Sequence, residues 1–229
     1  MPRGYSRTII CLAASRKHSG RCVAGKTIDG ARFGDWIRPV NTAGTGELFA
    51  PDRCYDGGTE PALLDVITIR MLGKSAHQYQ PENHVIDNKC HWSLVRKATY
   101  AEASRATDAT PRDLWGSSFG SSYSGVNDRV PVASAPDFNC SLRLICVTDL
   151  RIRVSVEGAA FGGTKRNLRG FFTYFGNKYA FAITDHIAEK RYLSGHDDDV
   201  TVGEALLCVG LGEPHRGYAY KLIAGVLTK

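Results

Sequence analysis

The sequence predicts a mostly β chain built as two small β-barrels in tandem, and three observations predict it. Short apolar runs rich in β-branched and aromatic residues recur in both halves, each closed by turn residues. Glycine is abundant, at 24 of 229 residues beside 10 Tyr and 9 Phe, which suits many short strands joined by tight turns. Between the halves, residues 106–141 lose periodicity and carry the run Gly116 to Gly125, then Pro131 and Pro136. That stretch reads as a long Gly/Ser-rich connecting loop, so the units are expected at 1–135 and 136–229. Roughly 100–130 residues each is a comfortable domain size.

The elements follow in order. Thr8-Ile9-Ile10-Cys11-Leu12-Ala13 reads as a first strand, ended by the polar turn Ser15 to Gly20. Arg21 to Thr27 returns as the second. Asp29-Gly30 predicts a two-residue hairpin, because a type I′ turn needs positive φ at both central positions. Arg32 to Val40 is the partner strand and stops at Pro39. Leu63 to Met71 is apolar and β-branched, another strand. Trp92 to Arg105 is expected to be the one short helix of the first unit, with Leu94, Ala98 and Ala101 on its apolar face and Ser93 as its cap. In the second unit Ser141–Leu150 and Arg151–Val156 predict strands, the latter alternating basic or polar with apolar. Arg169 to Tyr174, Lys178 to Thr184, Ala205 to Gly210 and Tyr218 to Leu227 complete a set of five or six strands. That number in about 90 residues suits a small closed barrel. The halves show no repeat of letters, so any duplication is one of architecture.

Composition narrows the function classes. A 43% hydrophobic and 23% charged chain is globular and not disordered. No apolar run approaches the roughly 18–20 residues that span a bilayer, and Thr8 to Ala14 is too short for a signal peptide. Seven cysteines, an odd number without a CxxC pair, read as reduced, buried thiols of a cytoplasmic protein. The formal charge is +6, and its distribution matters more. Arg3 to Arg38 holds eight Lys/Arg against two Asp, and Arg151 to Lys178 holds six against one Glu. One basic stretch per half suits a phosphate-bearing partner, or simply a solvated face.

The motifs Ser15-Arg16-Lys17 with Ser19-Gly20-Arg21-Cys22, Trp36-Ile37-Arg38-Pro39, Glu82-Asn83, Tyr174 with Gly176 and Tyr179, Thr184-Asp185, and Leu211-Gly212-Glu213-Pro214 before Tyr220-Lys221 run through nearly the whole chain. In their order and spacing they resemble a prokaryotic family of dual OB-domain proteins. The resemblance implies two OB-type barrels and a role with nucleic acid or nucleotide ligands. It implies no particular reaction, and fold resemblance is a weak warrant for function.

The candidate sites follow from chemistry. Single-stranded nucleic acid needs cations along its phosphates and flat side chains under its bases. The first half offers Arg16, Lys17, Arg21 and Arg38 beside Trp36. The second offers Arg153, Lys165, Arg166 and Arg169 beside Tyr174 and Tyr179, with Gly162-Gly163 as a loop to close over a strand. These aromatics are either barrel core or, with Trp36 and Tyr174 first, a stacking platform. The Ser15 to Arg21 turn is a candidate phosphate cradle through its hydroxyls, cations and backbone N–H groups, though it lacks P-loop spacing. Glu82 and Asn83 are expected to fix a loop or line a pocket. His77 to His84 with Asp87, Cys90 and His91 matches no zinc pattern, so no metal and no cofactor is expected. Asp185 and Glu213, at strand ends, form a candidate carboxylate pair, with the Asp197–Asp199 run the nearest further acids.

Each catalytic constellation lacks a spacing or a partner. The expectation is therefore a non-enzymatic module for single-stranded DNA or RNA, acting alone or beside an ATPase or nuclease. The alternative is a pocket protein for a nucleotide or modified base, using Lys17, Arg38, Glu82, Asp185 and Glu213, with metal-dependent hydrolysis at the last two.

Overall fold

The computed structural model of the chain describes every residue except 1–3, 44–45, 76, 78, 109–112, 160–161 and 197. It divides into two compact units, Met1–Ala106 with Asn139–Ser141, and Thr107–Phe138 with Leu142–Lys229. The division thus falls well before the expected 135/136. The Gly/Ser-rich segment packs within the second unit, where it supplies a short strand and a 3-10 turn at Val132–Asp137.

In the first unit, β1 (Tyr5–Lys17), β2 (Gly20–Asp29), β3 (Arg32–Val40), β4 (Asp65–Lys74) and β5 (Asn83–Ile86) pair in the order β1-β2-β3-β5-β4, and β4 pairs back onto β1. The sheet is therefore a closed five-stranded barrel, with β3 and β5 parallel and its other pairs antiparallel. Its inward faces bury Ile9, Cys11, Val23, Ile37, Leu48, Ile67, Ile69, Met71 and Ile86, with Tyr55 and Trp92 beneath. The barrel bends at a bulge beside Cys11, where β2 presents Gly25; a Cβ there would strike the Ile10 carbonyl oxygen. The expected hairpin after β2 forms one residue later, with Gly30 and Ala31 at its centre between the partners Asp29 and Arg32. Only Gly30 has positive φ (56°), the type II′ pattern.

A single helix over 92–105 is not what forms. Trp92 is buried beside Tyr55, Ser93–Lys97 is a strand, β6, and only Tyr100–Ser104 is helical. The cause is an unpaired edge. The four residues of β5 cover β4 only at Met71 to Lys74, so the backbone at Asp65 to Thr68 takes β6 as its partner. The helix starts instead at Thr99, whose hydroxyl accepts from the Glu102 N–H at 3.1 Å while Glu102 returns to the Thr99 N–H, a reciprocal cap that outcompetes Ser93.

The second unit carries β7 (Arg129–Pro131), β8 (Leu142–Val156), β9 (Arg166–Tyr174), β10 (Asn177–Ile183), β11 (Asp198–His215) and β12 (Tyr218–Leu227). The order β8-β9-β10-β12-β11 closes through β8–β11, and β10 and β12 are parallel. The two strands expected over 141–156 are one continuous strand. Tyr179, Phe181 and Ile183 share the inner face. A helix unforeseen in the sequence, His186–Tyr192, joins β10 to β11. Of the seven cysteines, none in a disulfide, only Cys11 and Cys208 are buried; Cys90 and Cys146 are exposed. The expectation that most are buried is therefore corrected: alternation along β8 turns Cys146 outward within an otherwise apolar run. No helix among the described residues is long and apolar enough to cross a membrane.

Candidate nucleic-acid interface

Arg38, Glu82 and Asn83 meet where β3 and β5 run in parallel, Arg38 opposite Asn83. The Arg38 Nη2 lies 3.0 Å from Glu82 Oε1 and donates to Ser141 Oγ at 2.9 Å, while Nη1 reaches Asn83 Oδ1 at 3.4 Å. The Ser141 hydroxyl donates to Glu82. All four are buried, and the Arg38 Nε finds no acceptor among the described residues. A guanidinium held this way neutralises a buried carboxylate and does not reach solvent phosphates. Glu82 and Asn83 hold the barrel seam together with Arg38 and Ser141.

The Ser15 to Arg21 stretch is mostly strand. Ser15 is buried in β1, Arg16 pairs with Arg21 and Lys17 with Gly20 across a two-residue turn at His18-Ser19. The Gly20 N–H already donates to the buried Glu47 carboxylate at 3.2 Å, and the Arg21 N–H to the Leu48 carbonyl. A carboxylate of the chain itself thus occupies the anion cradle proposed for a phosphate. Arg16 remains exposed on the hairpin, with Lys17 and Arg21 half-buried.

In the second unit most candidates serve the barrel. Arg169 is buried between Glu157, whose carboxylate it engages at 2.6 and 2.8 Å, and Asp128. Arg166 donates to the carbonyls of Leu193 and Gly195 beyond the 186–192 helix. Arg153 is exposed but forms a two-point pair with Asp199, its partner across β8 and β11, at 2.9 and 3.0 Å. That pair holds the Asp199 carboxyl below the usual range. Lys165 is exposed beside Gly162-Gly163, whose neighbours 160–161 are outside the described residues. Asp185 caps the 186–192 helix, accepting from the Ile187 and Ala188 N–H groups and from Val226 of β12 at 2.8 Å. Burial pushes its carboxyl up, against those three bonds. Glu213 is exposed where β11 bulges, between the pairs Leu211–Lys221 and Pro214–Ala219. Some six residues of β12 therefore separate it from Asp185, about 20 Å at strand rise, so the two carboxylates do not form a pair. Asp197 and Gln78 lie outside the described residues. His84 is buried, its Nδ1 2.5 Å from the Tyr5 hydroxyl, and among the described residues no group of three His, Cys, Asp or Glu side chains is placed to hold a metal.

The expected stacking rings are inside. Trp36 is 7% exposed with the Lys26 ammonium 5.5 Å from its ring centre, Tyr174 is 9% and Tyr179 is 1% exposed. The Tyr179 hydroxyl accepts from the Leu114 N–H. Tyr174 lines a cavity of about 40 Å³ with Trp115, Phe138 and Arg143, room for a few waters but not for a base. In this arrangement none of the three offers a face to a nucleobase.

An open concave site lies elsewhere in the first barrel, at the β2–β3 hairpin end of its strands. Ser6, Arg7 and Thr8 of β1, Thr27, Ile28 and Asp29 of β2, and Arg32, Phe33 and Gly34 of β3 line a groove of about 420 Å³. Arg7 is exposed and its guanidinium sits 4.6 Å from the Tyr5 ring centre. Phe33 is half-buried, so part of its ring faces the groove. A Cβ at Gly34 would come 2.5 Å from Thr27 Oγ1, so glycine there keeps the groove from being filled. None of these residues stands out in the sequence as a site; the available signal is the pair of arginines, Arg7 and Arg32, on the two strands that flank β2.

The family model described as a dual OB-containing domain matches residues 7–226. No curated protein and no solved structure matches the chain significantly.

Proposed function

Because the chain belongs to the dual OB-containing domain family, we propose that it is a nucleic-acid-binding module, and that a single strand of DNA or RNA lies in the β1–β3 groove of the first barrel. The observation that carries this reading is the groove itself. It is open and the size of one nucleotide, and it joins two cations, an aromatic edge and three hydroxyls across β1, β2 and β3, of which strands 2–3 form the face that OB barrels use for oligonucleotides. Arg7 meets a phosphate, Arg32 lies beside the base, and Phe33 offers the flat surface on which that base stacks.

Binding of short labelled single strands at rising salt tests this. Log affinity is expected to fall linearly with log salt, by a slope of about 0.7 per phosphate contacted. Arg7→Ala should reduce that slope by about one contact, and Phe33→Ala should weaken binding without changing it. Absence of binding at low salt, or binding indifferent to salt, overturns the reading. The size of the groove also favours a second reading, a single free nucleotide; there a mononucleotide raises the melting temperature and lengthening the strand adds nothing.

A further inference from the structure

Two charged groups in the groove are unengaged. Asp29 and Arg32 are register partners at the neck of the β2–β3 hairpin, and both are exposed. Among the described residues the Asp29 carboxylate and the Arg32 guanidinium have no hydrogen-bond or ion-pair partner, with each other or with any neighbour. Arg153 and Asp199 occupy a similar cross-strand relation in the second barrel and are locked together at 2.9 Å. The free carboxylate needs a reason, because a carboxylate in a groove for a polyanion repels phosphate. It becomes favourable only against a ligand that presents N–H donors to it.

Resting on the strand-binding reading above, we propose that the groove selects guanine, with Asp29 accepting from the base and Arg32 donating to it. The argument is the pattern of donors. A carboxylate has two acceptor oxygens side by side. Guanine is the base that sets two donors, the ring N–H and the adjacent exocyclic amino group, next to each other on one edge, beside a carbonyl oxygen that a guanidinium can meet. Adenine and cytosine place a ring-nitrogen acceptor next to the amino group, which would face the second carboxylate oxygen. Thymine and uracil flank their one N–H with two carbonyls. Guanine in a strand and guanine in a free nucleotide share this chemistry, and the experiment separates them.

The probes are four short thymidine strands that differ only in one central base, with guanosine monophosphate as a separate ligand. The guanine strand is expected to bind on the order of tenfold more tightly than the other three. Asp29→Asn should level the four affinities while leaving the melting temperature unchanged, since Asp29 is exposed; Arg32→Ala should weaken all four and narrow the preference. Equal binding of the four strands with normal salt dependence overturns guanine selection and leaves strand binding standing, as does a guanine preference that survives Asp29→Asn. If no strand binds but guanosine monophosphate does, and Asp29→Asn abolishes it, guanine selection stands and strand binding falls. If neither ligand binds, both fall.

Discussion

The two barrels share a strand order and differ at the seam where each closes. Gly25 pairs with Ile37 in the first and Gly170 with Phe181 in the second. Counting one residue on, Arg38 opposite Asn83 corresponds to Ala182 opposite Leu222 across the parallel third and fifth strands. Glu82 then corresponds to Lys221. Both are nearly fully buried, but Glu82 has Arg38 across the seam, whereas the second barrel carries Ala182 at the position of Arg38. It donates instead to the Gly116 carbonyl at 2.6 Å, with the charges of Asp113 and Asp128 nearby, and desolvation pulls its ammonium down to about 8. The same fold position thus tolerates a buried acid or a buried base. The lesson is that the barrel specifies that an inward polar group be compensated, and leaves to the local sequence how.

The sharpest way to break the correspondence is at its glycines. A Cβ at Gly25 meets backbone, the Ile10 carbonyl, whereas one at Gly170 meets the end of a side chain, Ile223 Cδ1, at 2.6 Å. Backbone cannot yield without unpairing β1 from β2, while an isoleucine can change rotamer. Gly25→Ala should therefore cost more than about 4 kcal/mol and Gly170→Ala about 1–3 kcal/mol, read by denaturant unfolding with hydrogen exchange assigning the loss to each barrel. Equal costs would mean that the two second strands are not equivalent.

Next in size is the seam. Glu82→Ala leaves the Arg38 guanidinium buried without its carboxylate and should destabilise the first barrel by about 3–5 kcal/mol. Replacing both members with apolar residues, Arg38→Met with Glu82→Leu, should recover much of that loss, because it copies the apolar third strand of the second barrel. If the double variant is as unstable as the single, the network does more than neutralise itself.

These seams also explain what could be read in advance. Strand positions, the two-unit plan and the inner face of β10 were legible, because alternation and turn residues are local properties. The first helix was misplaced because the partner of β6 is the edge of β4 at Asp65 to Thr68, about thirty residues earlier in the sequence and left uncovered by the short β5. The site was legible only as a type of surface. Arg38, Arg169 and Trp36 looked available because a sequence shows charge and aromaticity but not which face of a strand they take. Asp29 and Arg32 looked structural because they flank a turn, and only the folded groove shows them exposed and unengaged.

A smaller effect separates the two seams by pH. Lys221 has its ordinary 10.5 in the unfolded chain and about 8 when folded, so between those values the unfolded state binds more protons. Stability should rise with pH across that window, by at most about 3 kcal/mol, and the penalty of the buried ammonium is full below pH 8. Lys221→Met should remove the rise. Hydrogen exchange in the first barrel, whose seam carries no such lysine, should stay flat over the same range; a rise that persists in the variant would place the titrating group elsewhere.

The smallest expected effect contrasts the outer faces. Arg153 is already paired with Asp199 on an exposed surface, where such a bridge contributes under about 1 kcal/mol and is screened by salt, so Arg153→Ala should barely change stability. It should also barely change oligonucleotide affinity, because a guanidinium must leave its carboxylate before it can meet a phosphate. Arg32 has no partner to leave, and its removal should lower affinity at low salt by the value of a whole contact. If Arg153→Ala and Arg32→Ala weaken binding equally, the strand runs over both barrels, and the groove on the first is one part of a longer track.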